Sequence, residues 1–248
     1  KEIWNALVKL RSGPEGGEDE DATIKGPEWE VFTSPKPPQN WPDFMVTRVA
    51  APSELKSYFD FVVLAERLRE VNALIGFTRV EPPEERREGG DPPPRAPLTN
   101  GNPEWIPATE VRGEGIFVRF EGKRLADWLA RPAVKEREAK LLQGHRAYRV
   151  ARKLSPTEEG FPGILYILLH SFAHIFVREL ALECGYSAAS VRERIYASGY
   201  GQAPDVAGVL VYTAAPDSDG TLGGLVELGK PENLGRIVRQ ALDRSRIC

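Results

Sequence analysis

Two histidines stand four residues apart in His170-Ser-Phe-Ala-His174, and Arg178 follows at the same spacing. At 3.6 residues per helical turn, these three side chains share one face. Two imidazoles so placed can chelate a metal ion. The zinc-peptidase pattern, however, has Glu directly after the first His, and here that residue is Ser171. No third ligand is obvious. Two readings stand: chelation, or a hydrogen-bonded polar cluster that braces the loop after a neighbouring strand. The second asks for less.

A second set lies in Tyr212-Thr-Ala-Ala-Pro-Asp-Ser-Asp-Gly-Thr-Leu-Gly-Gly224. Glycines such as Gly223 and Gly224 after an apolar strand let the backbone come close to a ligand or another chain. If Thr221 caps a short helix, the free N–H groups there could hold a phosphate. No Lys-Ser/Thr pair follows the glycines, so a Walker A loop is excluded, and the dinucleotide fingerprint is absent too. Asp217 and Asp219 look like half a calcium loop, but the twelfth position counted from Asp217 is Leu228 rather than Glu. A sharp tertiary turn is the plainer reading. The two sets together define an alternative: a metal-dependent hydrolase or nuclease with His170, His174, Asp217 and Asp219 around one ion.

The third signal is charge. Between Arg119 and Lys153 there are eleven Lys/Arg and four Asp/Glu, a local +7 in a chain of net −3. Arg137, Arg146, Arg149, Arg152 and Lys153 could follow a phosphate backbone without reading sequence. They could equally be the wet face of a helix, paired locally with Glu136 and Glu138. Nucleophilic chemistry finds no support. Cys184 sits near a helix end among Leu182, Gly185 and Tyr186, which reads as structural. There is no Gly-x-Ser-x-Gly elbow, and His145 has no obvious acid partner.

These residues need elements to position them. Gly163 to Cys184 predicts a helix, ended by Gly185 in a left-handed cap. Val206 to Thr213 is a continuous apolar run, as in a central strand. Gly115 to Phe120 predicts a strand, Lys123 to Ala130 and Ala133 to Lys153 two helices. Ser190 to Tyr196 fits strand or helix. Leu234, Ile237, Val238, Ala241 and Leu242 predict a final amphipathic helix. Phe59, Val62, Val63, Leu68 and Val71 recur mostly at spacings of three and four, which predicts a helix starting near Ser53; Ala73 to Val80 then reads as a strand. Trp29 to Trp41, broken by Pro35, Pro37 and Pro38, reads as extended. The fold class is α/β: a mixed sheet covered by helices, with long Pro/Gly-rich insertions. An N-terminal extension with an acidic linker spans 1–52, and one domain spans 53–248 around a Pro-rich insertion at 81–107.

The chain has 248 residues, 28% charged and 41% hydrophobic, enough for a real core and outside the disordered class. Gly and Pro number 44, about 18% against an average near 12%. Net charge −3 excludes a basic nucleic-acid module as the whole chain. Two cysteines exclude a disulfide framework or a four-thiolate zinc site built from this chain alone. The most apolar stretch, Phe161 to Val177, contains Pro162, His170, Ser171 and His174, and reads as a buried helix rather than a membrane span. No signal-peptide pattern is visible. The first residue is Lys1 and the only Met is Met45, so the chain is expected to begin inside a longer protein or after processing.

Leu168-Leu-His-Ser-Phe-Ala-His174, Leu180-Ala-Leu-Glu-Cys-Gly-Tyr186 and the segment from Gly208 to Leu225 resemble the MrfA-type zinc-binding (MZB) domain found on some bacterial superfamily 2 helicases. Phe61 to Val71, Ala73 to Arg79 and Glu114 to Phe120 narrow the resemblance to the DrmB family, the non-helicase subunits of DISARM phage defence. The resemblance implies a cytoplasmic bacterial protein with no membrane role. Its partners would be a DrmA-like superfamily 2 helicase and DNA, single-stranded or at a junction, and it would not itself be an enzyme. It implies zinc in the full-length protein, held by a cysteine cluster after the last helix; this chain reaches only Cys248, so at most that one ligand is carried over.

Overall fold

The computed structural model describes residues 20–38, 41–78, 96–99, 101, 105–187, 190–213 and 224–246. Asp217, Asp219, Gly223 and Cys248 therefore lie outside the described residues, as does most of the Pro-rich insertion. The chain divides into two compact units, 1–37 and 38–248. The first contains helix α1 (Glu20–Thr33), within the extension expected to carry an acidic linker. Trp29 to Thr33 is helical rather than extended, and Thr33 Oγ1 donates to the Trp29 carbonyl at 2.7 Å. Pro35, Pro37 and Pro38 end this helix instead of preventing it, because proline excludes the helical conformation chiefly for the residue before it.

The second unit is a five-stranded sheet with helices packed on it. Its strands are β1 (Met45–Ala50), β2 (Phe59–Ala73), β3 (Ala108–Phe120), β4 (Val191–Ala197) and β5 (Ala207–Thr213), in the order β1-β2-β3-β5-β4. Every pairing is antiparallel. Pairing of β1 with β2 places residues 45–50 of the expected N-terminal extension in the sheet. The α/β class holds. The segment from Phe59 is a strand, not the predicted helix: Phe61 to Ala65 are all buried, so both faces of β2 are apolar there and the alternation that marks a strand is erased. Val191 to Ala197 resolves as strand.

The helices are α2 (Gly122–Leu129), α3 (Pro132–Ala151), α4 (Gly163–Cys184), α5 (Gly224–Gly229) and α6 (Pro231–Ser245). By length and composition α4 could cross a membrane, but 56% of its most apolar window is buried inside the protein. Leu169, Phe172, Ala173, Phe176 and Leu180 pack on Val62, Val118, Val209 and Val211 of the sheet in one core with Leu234 and Ile237 of α6. Gly185 ends α4 at φ 70°, the left-handed cap expected of it. Arg236 and Arg244 of α6 pair with Glu183 and Glu179 of α4. A side chain at Gly113 would place its Cβ 1.7 Å from the Thr213 carbonyl oxygen, so β3 and β5 can approach only with glycine there.

Beyond the five-stranded region, Leu68 to Ala73 of β2 and Ala108 to Gly113 of β3 continue as a two-stranded arm. It leads to Phe77, bridged to Ala96. Val71, Leu74, Ile75, Phe77 and Trp105 are exposed along it, Trp105 at 73%.

Candidate metal centre and its neighbouring polar clusters

Along β4, side chains alternate between the two sheet faces. Val191, Glu193 and Ile195 therefore share a face with Val211, which pairs with Glu193 and belongs to the helix-covered core. This points Glu193 at α4. His170 and His174, one turn apart on α4, meet it there. The two Nε2 atoms are 2.8 Å apart, and Glu193 Oε1 lies 3.3 Å from the first and 3.5 Å from the second. His170, His174 and Glu193 are the one His/Cys/Asp/Glu group of metal-holding geometry among the described residues. The imidazoles are half exposed and Glu193 is partly buried.

The structure thus brings together two of the residues singled out in the sequence and supplies a third that was missed. The signal was present: in Val-Arg-Glu-Arg-Ile, a strand reading puts Glu on the apolar face. Arg178, a turn further along α4, is exposed and makes none of the cluster's contacts. The histidines brace strand β4, whereas the expected loop after β5 lies largely outside the described residues.

The other face of β4 carries a different cluster. Glu70 of β2 accepts from Tyr212 Oη at 2.6 Å, Arg192 Nη1 at 2.6 Å and Asn72 Nδ2 at 2.8 Å. Burial alone would raise the Glu70 pKa. The Tyr212 and Asn72 hydrogen bonds, with Arg192 and Arg194 nearby, outweigh it and hold the carboxyl below its ordinary range. Tyr212 is pushed up to about 12, by burial first and then by its bond to Glu70.

A fully buried acid was also missed. The Glu114 side chain, 1% exposed, accepts from the backbone N–H groups of Leu225 at 2.8 Å and Val226 at 3.3 Å. The first turn of α5 is therefore held by a carboxylate; Thr221, on which a phosphate site was expected, lies outside the described residues. Gly224 opens α5 close to Tyr186 and Cys184. Burial, then Glu114 and Glu183, push the Cys184 thiol up to about 11, so it is neither an activated nucleophile nor a ready thiolate ligand.

The basic segment is partly structural. Arg149 is 13% exposed, donates to the Pro156 carbonyl at 2.8 Å and pairs with Glu159; Arg146 pairs with Glu158. Arg152 lies 4.7 Å over the Tyr148 ring, while Arg137 is exposed and Lys153 sits just past the end of α3 with φ 55°. His145 Nε2 is 2.9 Å from the Glu159 carbonyl, a fixing contact of the same turn. At 100° per residue these cations spread around α3 and form no single stripe.

Comparison with known proteins adds two findings. Residues 172–248 match the family model of the MrfA Zn-binding domain (MZB). A DISARM protein DrmB from Bacillus paralicheniformis is 33% identical over 247 residues, covering 99% of this chain. The chain spans 42% of the length of that curated relative. Zinc, which the family's description implies, can be tested against the donors present. Zn–N bonds of about 2.0–2.1 Å at tetrahedral angles set neighbouring donor atoms about 3.3 Å apart. The 2.8, 3.3 and 3.5 Å separations of His170, His174 and Glu193 fit such an ion with small adjustment.

Proposed function

Because this chain is a DrmB relative along nearly its whole length, we propose that it forms part of a DISARM anti-phage defence subunit that helps a DrmA-like superfamily 2 helicase engage DNA. The observation that carries this reading is the 33% identity sustained over 99% of the chain. In this reading nucleotide hydrolysis belongs to the partner, and the setting is the bacterial cytoplasm. The apolar side chains of the β2–β3 arm supply the docking surface, because exposed aliphatic and aromatic groups gathered at one projection mark an interaction site. Arg137, Arg152 and Lys153 add positive charge along the DNA path. Arg146 and Arg149 first serve the turn at 156–159. Zinc held by His170, His174 and Glu193 would supply a fixed positive charge between α4 and β4.

The test is co-expression of the full-length protein with a DrmA-like helicase. The two should copurify, with no ATPase activity in this protein alone. Changing Arg137 and Arg152 to Glu should weaken DNA binding by the complex at fixed salt and flatten its salt dependence by about one unit of slope per lost phosphate contact. Unchanged affinity and slope would remove DNA contact from the assignment. ATP turnover by the isolated protein would overturn the accessory role. A second reading, the metal-dependent hydrolase or nuclease, is favoured by one observation: His170 and His174 meet a carboxylate. It predicts metal-dependent cleavage of DNA by this protein alone, lost in His174→Ala.

A further inference from the structure

We infer that His170, His174 and Glu193 hold one divalent transition-metal ion, zinc by donor type, and that the ion fastens helix α4 to the edge strand β4. The site differs in place and chemistry from a cysteine-built zinc site beyond the last helix, and it does not depend on helicase or DNA partnership.

The geometry makes the case. A neutral imidazole has one N–H and one lone pair; a carboxylate has only lone pairs. Three such atoms, two Nε2 and one Oε1, converge within 3.5 Å of one another. One ring proton can join the two nitrogens, but the carboxylate oxygen then faces the lone pair of the acceptor ring. If both rings carry Nε2 protons, two N–H groups collide at 2.8 Å. A cation at the common centre satisfies all three atoms together. The lysines and arginines of the neighbourhood do not supply it: no ion pair to Glu193 other than those of the two histidines occurs among the described residues.

The donor set selects the ion. Two imidazoles and a carboxylate suit zinc and its first-row neighbours, whereas calcium and magnesium take oxygen ligands. The sequence positions match the demand: a helix supplies donors at i and i+4, and an adjacent strand supplies the third from its helix-facing side. His174 is 62% exposed at its side chain, so the ion can enter from solvent and a water completes a tetrahedral shell.

The experiment uses the purified 248-residue chain, loaded with zinc sulfate, dialysed, and measured for metal by mass spectrometry. The expected result is one zinc per chain. His174→Ala and Glu193→Ala should each weaken zinc binding more than about 100-fold, since loss of an outer-shell partner alone costs 10–100-fold. Arg178→Ala and Cys184→Ser should retain the ion. Cobalt(II) should give the visible absorption of a low-coordinate nitrogen–oxygen site, without the thiolate charge-transfer bands of a cysteine site. Circular dichroism of the metal-free variants separates lost ligands from lost fold, and Glu193→Gln, which keeps the side chain's shape, gives a second measure. Failure of the wild-type chain to retain zinc overturns the proposal. So does equal retention by His174→Ala and Glu193→Ala, or loss of the ion in Cys184→Ser.

Discussion

Strand β4 separates two polar clusters, and they are built in opposite ways. On one face Glu70 accepts three hydrogen bonds, from Tyr212, Arg192 and Asn72. Every oxygen there has a donor, and the carboxylate is satisfied by the protein itself. On the other face Glu193 Oε1, which has only lone pairs, meets two imidazole nitrogens that themselves lie 2.8 Å apart. The same residue type thus serves two ends, although Arg192, which donates to Glu70, directly precedes Glu193 in the strand. Where donors surround a carboxylate, the cluster ties strands together. Where acceptors converge, it asks for a cation from outside. A partly buried carboxylate alone therefore says little; its neighbours decide.

The largest effect that tests this contrast is linkage between zinc and stability. An ion that binds only the folded chain, at one hundred times its Kd, adds about 2.7 kcal/mol. Thermal or urea unfolding should show that gain in wild type and none in His174→Ala. The Glu70 cluster should be blind to zinc: Tyr212→Phe should gain as much from the ion as wild type does. Should Tyr212→Phe abolish the gain, the two faces of β4 are not independent and the contrast fails.

Next in size is the loss of a donor from the satisfied cluster. Tyr212→Phe leaves Glu70 with Arg192 and Asn72, and should cost about 1 kcal/mol, the net worth of one hydrogen bond. Urea unfolding with and without a chelator reads it, and the cost should be the same in both. Glu193→Gln in the chelated protein should cost less, because an amide both donates and accepts and can pair with either tautomer of the facing imidazoles.

How much of this was legible beforehand follows the same physics. Helix α4, its cap at Gly185, the Gly115–Phe120 part of β3, and β5 are strongly patterned, because each has a clear buried face or a clean stop. Strand β2 was not legible: Phe61 to Ala65 is buried on both faces, so its period of two vanished and accidental spacings of three and four suggested a helix. The His170–His174 pair could be seen because helical spacing is local. Glu193 becomes visible only once Val191 to Ile195 is read as a strand; Glu70 and Glu114 could not be seen, since each meets its partners only after segments distant in sequence have come together. Glu114 and Leu225 are 111 residues apart, and no local pattern announces that bond. In the basic segment, too, the contacts of Arg149 with Glu159 and the Pro156 carbonyl were not legible from its charge.

Acid separates the clusters more gently. The sign follows from the Glu70 pKa, which is lower in the folded chain than in the unfolded one. The stability this contributes is present above the ordinary carboxylate range and is lost as the pH falls through the folded value. Zinc binding also weakens on acidification, because its ligands must be deprotonated to bind. Unfolding measured downward from neutral pH, with and without zinc, should therefore separate a zinc-dependent loss from the Glu70 loss. In Glu70→Gln the zinc-independent loss should shrink while the zinc-dependent one stays; a chelator should remove the zinc-dependent loss and leave the other.

The smallest stability effect belongs to a place where nothing is coordinated and no carboxylate is buried. Trp105, just before β3, is 73% exposed, and Ile75 and Phe77, just past β2, are 56% and 57% exposed. Trp105→Ser should shift folding stability by no more than about 0.5 kcal/mol, as for surface changes away from special features. Zinc content and the acid steps should not move. If the arm is the docking surface, the same substitution should still weaken capture of a DrmA-like helicase, because large aromatic side chains dominate interface energetics. Capture should be compared between Trp105→Ser and His174→Ala at equal protein concentration. Weak capture by the first and normal capture by the second would place association on the arm and metal binding in the body. Normal capture by Trp105→Ser would take the docking surface off the arm, while leaving the contrast across β4 as it stands.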